Sequence, residues 1–374
     1  MTGLINCTLE CNLKCEYCFE GQGDSNKCPD VKNVNDLFVE ALDKFDKYID
    51  EIYKKNGNEK TPIIFHGGEP TLIRPENLER LMKLQAEKKH NISWRIQTNG
   101  TLISDELIKV FKKYNVNVGI SIDGLKKHHD RYRVTKNDKP TFDIVYKNMK
   151  RLKESEVPFS VLVTITNNNV LDLIDIYKFL AVENISFSFN ALYPRKNTND
   201  SADLSPELFS EEICNLFDCW IEDQTSKIII APFEQIIEGL FMPSRGIPAC
   251  NWQKQCTDSF MAIDTEGRIF PCEHWVNNIN MAYANINEDF EKIYIKAKNV
   301  FKERVDNLEI NRCDGCSIYD LCYGGCPWNA YMVTGSMQEK DESICVGRKV
   351  LIKHIYDYMK INYKGNLPER DFTD

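Results

Sequence analysis

The feature that most constrains this fold is an alternation of short apolar runs with amphipathic stretches. Apolar runs at residues 3–8, 62–65, 92–97, 116–122, 159–165 and 185–192 read as strands. Helical spacing of apolar residues follows at 34–55, 75–89, 105–113, 141–156, 171–183 and 204–222. Strands alternating with helices predict an α/β fold with a parallel sheet and right-handed crossovers. A full eight-unit barrel takes about 250 residues, so six units in about 220 predict a partial, open (βα)6 barrel. The polar and glycine-bearing clusters, such as His66-Gly-Gly-Glu-Pro70 and Thr98-Asn-Gly100, fall at the C-terminal strand ends, where parallel barrels do chemistry.

The fifteen cysteines are confined to particular parts of that pattern. Five lie between Cys7 and Cys28, two at Cys214 and Cys219, and eight between Cys250 and Cys345, with none in the long stretch 29–213. A chain of this size with no visible signal peptide uses such cysteines for metal rather than disulfides. Cys11, Cys15 and Cys18 fall within eight residues, so one tight loop can turn all three toward a single centre. A closed zinc site wants four protein ligands and a [4Fe–4S] cubane is usually held by four cysteines. Three from one loop therefore suggest a cluster with one iron left open; a zinc loop or a disulfide knot is the alternative. The later cysteines read Cys250-x5-Cys256, Gly267-x4-Cys272, Cys313-x2-Cys316-x5-Cys322-x3-Cys326 and a last Cys345. They make two sets of four, with two zinc ribbons as the alternative. A proline- and glycine-rich stretch, Pro243-Ser-Arg-Gly-Ile-Pro248, predicts a boundary between domains 1–243 and 244–374.

The triplet, with Tyr17 next to its last cysteine, resembles the radical S-adenosylmethionine (radical SAM) family. The later string resembles the SPASM extension of radical SAM peptide-modifying enzymes. Together they are similar to anaerobic sulfatase-maturating enzymes and to maturases of ribosomally made peptides. The resemblance implies a TIM-like partial barrel followed by a cysteine-rich SPASM domain. It implies that SAM binds the open iron and is cleaved by the reduced cluster to a 5′-deoxyadenosyl radical. Two auxiliary [4Fe–4S] clusters would follow, three clusters in all. One would take Cys250, Cys256, Cys272 and Cys326, the other Cys313, Cys316, Cys322 and Cys345. Cys7, Cys28, Cys214 and Cys219 are left over and read as packing thiols.

The same resemblance assigns SAM contacts. Gly67 and Gly68 would let the backbone approach the methionine part, and Glu69 would face its ammonium. Tyr17 would lie against the adenine edge and Leu192 would pack on adenine. Ser121 would meet ribose or carboxylate, and Arg133 the SAM carboxylate; a surface ion pair of Arg133 with Asp130 is the plain alternative. Asp123 would only shape the turn in this scheme. Sulfatase-maturating enzymes carry an aspartate general base directly after the G-x4-C cysteine, where this chain has Glu273. Glutamate keeps the carboxylate and moves it by one methylene, so base chemistry stays possible while the substrate is in doubt. A salt bridge is the alternative role for Glu273.

The expected activity is hydrogen abstraction from a peptide residue and a two-electron oxidation, giving a thioether or carbon–carbon crosslink in a ribosomal peptide. The alternative is oxidation of a sulfatase cysteine or serine to formylglycine. A plain electron carrier or zinc adaptor would leave Gly67-Gly-Glu69 at a strand end unexplained. The expected partners are a peptide or protein substrate and an electron donor such as a ferredoxin or flavodoxin. Ten residues precede Cys11, too few for a fused leader-recognition domain, so a separate leader-binding protein or the barrel itself is expected to serve. A net charge of −9, from 47 basic and 56 acidic residues, points to neither nucleic acid nor an anionic membrane. No apolar run reaches the roughly 18 residues of a membrane span, and a cytoplasmic location is expected.

Overall fold

The computed structural model describes residues 1–19, 29–192, 203–363 and 367–372. Among the described residues nine strands are formed: β1 Thr2–Asn6, β2 Thr61–His66, β3 Ile92–Thr98, β4 Asn117–Ser121, β5 Phe159–Ile165, β6 Phe187–Ala191, β7 Phe260–Ile263, β8 Arg268–Phe270 and β9 Ala284–Asn285. The chain divides into two compact units built from interleaved segments. The first comprises 1–122, 126–161 and 257–300; the second comprises 123–125, 162–256 and 301–374. The sequence boundary at 243–244 is a different, linear division and stands as a proposal.

In the first unit the sheet order is β4-β3-β2-β1-β7-β8-β9. β1 to β4 pair in parallel in chain order, as the strand–helix alternation predicts. β7 adds to the free side of β1, also in parallel, and β8 and β9 extend it as an antiparallel meander. None of these three strands is predicted from the sequence; they are two to four residues long, too short for a period to register. Alternate residues of β2 are fully buried, Thr61, Ile63 and Phe65, because successive side chains point to opposite faces. The β1–β2 register sets Asn6 beside His66 at the C-terminal ends of both strands.

The helix expected over 34–55 is two helices, Val31–Glu40 and Leu42–Lys55, broken at Ala41. Asp30 caps the first through the N–H groups of Lys32 and Asn33. Phe38, Ala41, Leu42 and Phe45 are all buried, so the apolar stripe runs through the break and hides it from a periodicity argument. Likewise 171–183 begins as a 3-10 turn, Val170–Asp172, before the helix Leu173–Val182. A short helix, Lys126–Tyr132, forms where the sequence shows only a basic pair.

In the second unit the helices Pro206–Glu222 and Glu342–Asn362 pack together. Phe217 meets Tyr358 edge-on at 5.5 Å, and His354 Nε2 lies 2.7 Å from Asp218 Oδ1. No helix among the described residues is long and apolar enough to cross a membrane.

Candidate active site

The cysteine loop is fastened to the end of β2 by backbone bonds. Gly68 N–H donates to Thr8 O at 2.7 Å and Glu69 N–H to Glu10 O at 2.9 Å. Gly67 has φ +116°, and a Cβ there would stand 2.3 Å from Thr8 O. A Cβ on Gly68 would stand 2.2 Å from Glu10 O. The close approach that requires both glycines is therefore made by the loop carrying Cys11. A second tether reaches β3: Asn99 Nδ2 donates to Asn12 Oδ1 at 2.9 Å, and Asn12 Nδ2 to Thr101 Oγ1 at 2.8 Å. Sequence reading gave Asn12 and Asn99 no role; only their chain separation, closed by the fold, makes them partners.

Cys11, Cys15 and Cys18 are brought close enough to act on one another electrostatically. Burial first, then the Glu69 carboxylate and the other two sulfurs, push the Cys11 thiol far above its ordinary range. The Leu13 N–H points at Cys11 Sγ from 3.4 Å and Asn99 Nδ2 from 3.8 Å. N–H donors aimed at a sulfur suit a thiolate ligand of an iron–sulfur cluster, so the loop fits one.

Glu69 is buried, and burial pushes its carboxyl above the usual range against four donors that pull it down. Oε1 accepts from Thr71 N at 2.9 Å, Thr71 Oγ1 at 2.5 Å and Thr98 Oγ1 at 2.7 Å. Oε2 accepts from Asn99 N at 2.8 Å and keeps lone-pair capacity for a cationic ligand such as an ammonium.

Tyr17 is buried, edge-on to Tyr132, and the Arg133 guanidinium lies 5.4 Å from its ring centroid. Arg133 is itself buried, and Asp130 accepts the Thr141 and Phe142 N–H groups and lies 3.5 Å from Lys126 Nζ. Ser121 ends β4, its Oγ accepting from Gln97 Nε2 at 3.0 Å. In the second unit, Asp123 accepts from Thr164 N, and Leu192 is buried with its N–H on Ile165 O. Tyr193 and Pro194, which frame Leu192 in the sequence pattern, lie outside the described residues, as does Cys28.

Glu273 opens a short 3-10 turn after Cys272 and is buried. Its Oε1 accepts from Asn6 Nδ2 at 2.6 Å and lies 3.5 Å from His66 Nδ1. That nitrogen also accepts the Gly67 N–H at 2.8 Å. Oε2 of Glu273 is buried without a hydrogen-bond partner among the described residues. Phe19 stacks on the neighbouring His274 at 4.2 Å. Cys7 is buried beside this group, its thiol pushed up by burial and then by Glu273.

The second unit holds the other cysteines except Cys272, which lies in the first. Cys313, Cys316, Cys322 and Cys345 line one cavity. Burial pushes the Cys313 thiol up to about 11. Cys250, Cys256 and Cys326 form another neighbourhood, and the Cys256 thiol is raised by burial and then by the other two. Arg304 is buried there, its guanidinium pushed down by burial and donating to the carbonyls of Gly324, Gly325, Met337 and Glu339. Among the described residues, no three His, Cys, Asp or Glu side chains are gathered to hold a single metal ion, and no disulfide forms. Four cysteine side chains around one cavity are the ligand complement of a four-iron cubane, so that set fits a cluster. Cys214 and Cys219 sit on the helix Pro206–Glu222, the Cys214 thiol raised by burial to about 11.

Residues 5–180 match the Radical SAM superfamily model. A cysteine-type anaerobic sulfatase-maturating enzyme of Clostridium perfringens is 29% identical over 329 residues, covering 84% of this chain and 85% of the relative. A serine-type anaerobic sulfatase-maturating enzyme of Bacteroides thetaiotaomicron is 27% identical over 372 residues, covering 93% of this chain and 87% of the relative. The solved structure of native anSMEcpe with bound AdoMet and Cp18Cys peptide superposes with a TM-score of 0.78 at 25% identity, covering 96% of each chain. Fold, cysteine loop and relatives agree: residues 5–180 form a radical SAM domain, and the chain is similar along most of its length to the anaerobic sulfatase-maturating enzymes.

Proposed function

We propose that this enzyme oxidises a cysteine or serine side chain of a protein or peptide substrate to formylglycine. The names of the relatives support this reading over the crosslink that the sequence suggests first. The observation that carries peptide oxidation is Glu273, a buried carboxylate whose Oε2 has no hydrogen-bond partner among the described residues, at the strand ends that bear the cysteine loop. In this reading Glu273 Oε2 takes the proton from the substrate thiol or hydroxyl, while Asn6 holds Oε1. Cys11, Cys15 and Cys18 would hold a cluster at which bound SAM would supply the radical chemistry that takes a hydrogen atom from that side chain. Gly67, Gly68, Glu69, Tyr17, Ser121, Arg133 and Leu192 are assigned to SAM. Cys250, Cys256, Cys272 and Cys326, and Cys313, Cys316, Cys322 and Cys345, would hold auxiliary clusters able to accept the remaining electron; serine then gives the aldehyde directly, and cysteine gives a thioaldehyde that water hydrolyses with loss of hydrogen sulfide. A ferredoxin or flavodoxin would supply the electron for SAM cleavage, and the enzyme would work in the cytoplasm.

The crosslink reading, with a separate leader-binding protein, is favoured by one observation: glutamate, not aspartate, follows Cys272. Mass spectrometry of two anaerobic incubations separates the readings. An aldehyde on a sulfatase-motif peptide supports formylglycine formation. Loss of two hydrogens from a cysteine-containing precursor peptide, with the sulfatase peptide unchanged, replaces it with crosslinking.

A further inference from the structure

The helix Glu342–Asn362 carries Cys345 and, one turn later, a buried arginine, Arg348. Residues three apart share a helix face, so one turn presents both groups to the same side. Nη1 of Arg348 lies 3.4 Å from Cys322 Sγ and 3.4 Å from Cys322 O. The guanidinium sits 3.8 Å from the centroid of the Trp252 ring. Trp252 stands between Cys250 and Cys256 in the chain. The indole clamps the guanidinium by a cation–π contact and keeps its fork turned to the sulfur.

No carboxylate pairs with Arg348 among the described residues; its partners are the sulfur, one carbonyl and the indole. A buried cation without a counter-ion is costly, so this position calls for a resident anion. Four cysteine thiolates around a cubane are such an anion, and they line the cavity beside Cys322. Arg304 differs: its fork is spent on four backbone carbonyls, which hold the turn between Cys322 and Cys326.

We propose that Arg348 is a positioning residue that raises the reduction potential of the auxiliary cluster held by Cys313, Cys316, Cys322 and Cys345. The inference rests on the auxiliary-cluster reading above. A hydrogen bond to a ligand sulfur, and a positive charge beside it, favour the reduced and more negative state. This cluster is thereby the readier electron acceptor, and the bond to Cys322 is the means.

The test is a reductive titration of the purified holoenzyme followed by electron paramagnetic resonance, with iron counted per chain. Cys345→Ala identifies the signal belonging to this cluster. Arg348→Met keeps the iron and moves that signal to lower potential, by at least a tenfold change in reduced-to-oxidised ratio, or about 59 mV for one electron. Arg348→Lys, which keeps the charge without the fork, moves it less in the same direction. If either variant retains its iron and the signal stays in place, the inference is overturned while the cluster reading stands. If Arg348→Met loses iron, the lysine variant decides. If Cys345→Ala removes neither iron nor signal, the cluster reading itself fails and takes the inference with it.

Discussion

The side-chain amide of Asn6 donates a 2.6 Å hydrogen bond to Oε1 of Glu273, joining residues 267 positions apart. The last residue of β1 thus orients a carboxyl group that follows Cys272. Oε1 is thereby occupied, while Oε2 has no hydrogen-bond partner among the described residues.

Substitutions in this pair should uncouple the two halves of the reaction. Glu273→Gln is expected to lower product formation by roughly 10²–10⁴-fold, as loss of a general base does. Asn6→Ala is expected to lower it about tenfold, the worth of a hydrogen bond to a charged group. Formation of 5′-deoxyadenosine should change little in both. Chromatographic assay of both products checks this; an equal fall in both would remove Glu273 from the base role.

Gly68→Ala should damage the cysteine loop rather than the sheet. Its Cβ would meet the Glu10 carbonyl at 2.2 Å, a backbone atom that cannot swing aside. A cost of about 1–3 kcal/mol is expected from such overpacking. Iron content and thermal unfolding of the variant should both fall, iron by about one cluster's share.

Replacing Cys11, Cys15 and Cys18 together by alanine should abolish SAM cleavage and leave about two-thirds of the iron, since each auxiliary cluster keeps four cysteines. Iron analysis alongside the 5′-deoxyadenosine assay is the measurement. Continued SAM cleavage in the triple variant would place the radical chemistry elsewhere.

Glu69→Gln should destabilise the fold even without SAM. The carboxylate accepts from Thr71, Thr98 and Asn99, and an amide must turn its NH2 toward one of these donors. One buried donor is then left unpaired, at about 1–3 kcal/mol. Denaturant unfolding of wild type and variant, both without SAM, reads the difference.

A pH prediction concerns the second unit. Thr225 and then Tyr177 hold the Asp223 carboxyl down to about 2. A depressed carboxylate contributes stability that is present above its unfolded value of about 3.9 and is lost as pH falls through the folded one. Asp223→Asn should therefore flatten the stability profile between about pH 4 and pH 2. Unchanged acid unfolding in that window would count against the bond network.

Much of the site was legible in the chain because its signals are local. Cysteine spacing, the pair Gly67-Gly68 and the strand–helix period each depend on a few neighbouring residues, and covalent geometry carries them into any fold. The sequence by itself thus determined the parallel core of β1 to β4, the cysteine loop and the carboxylate after Cys272. The tertiary structure alone decided which partners those residues have. It set the glycines against Thr8 and Glu10, paired Asn12 with Asn99, and hid the break at Ala41 under a continuous apolar stripe. It also closed the distances from Asn6 to Glu273 and from Arg348 to Cys322. Hydrogen bonds act over about 3 Å, whereas sequence patterns report only neighbours along the chain, so contacts between remote residues exist only once the backbone has folded.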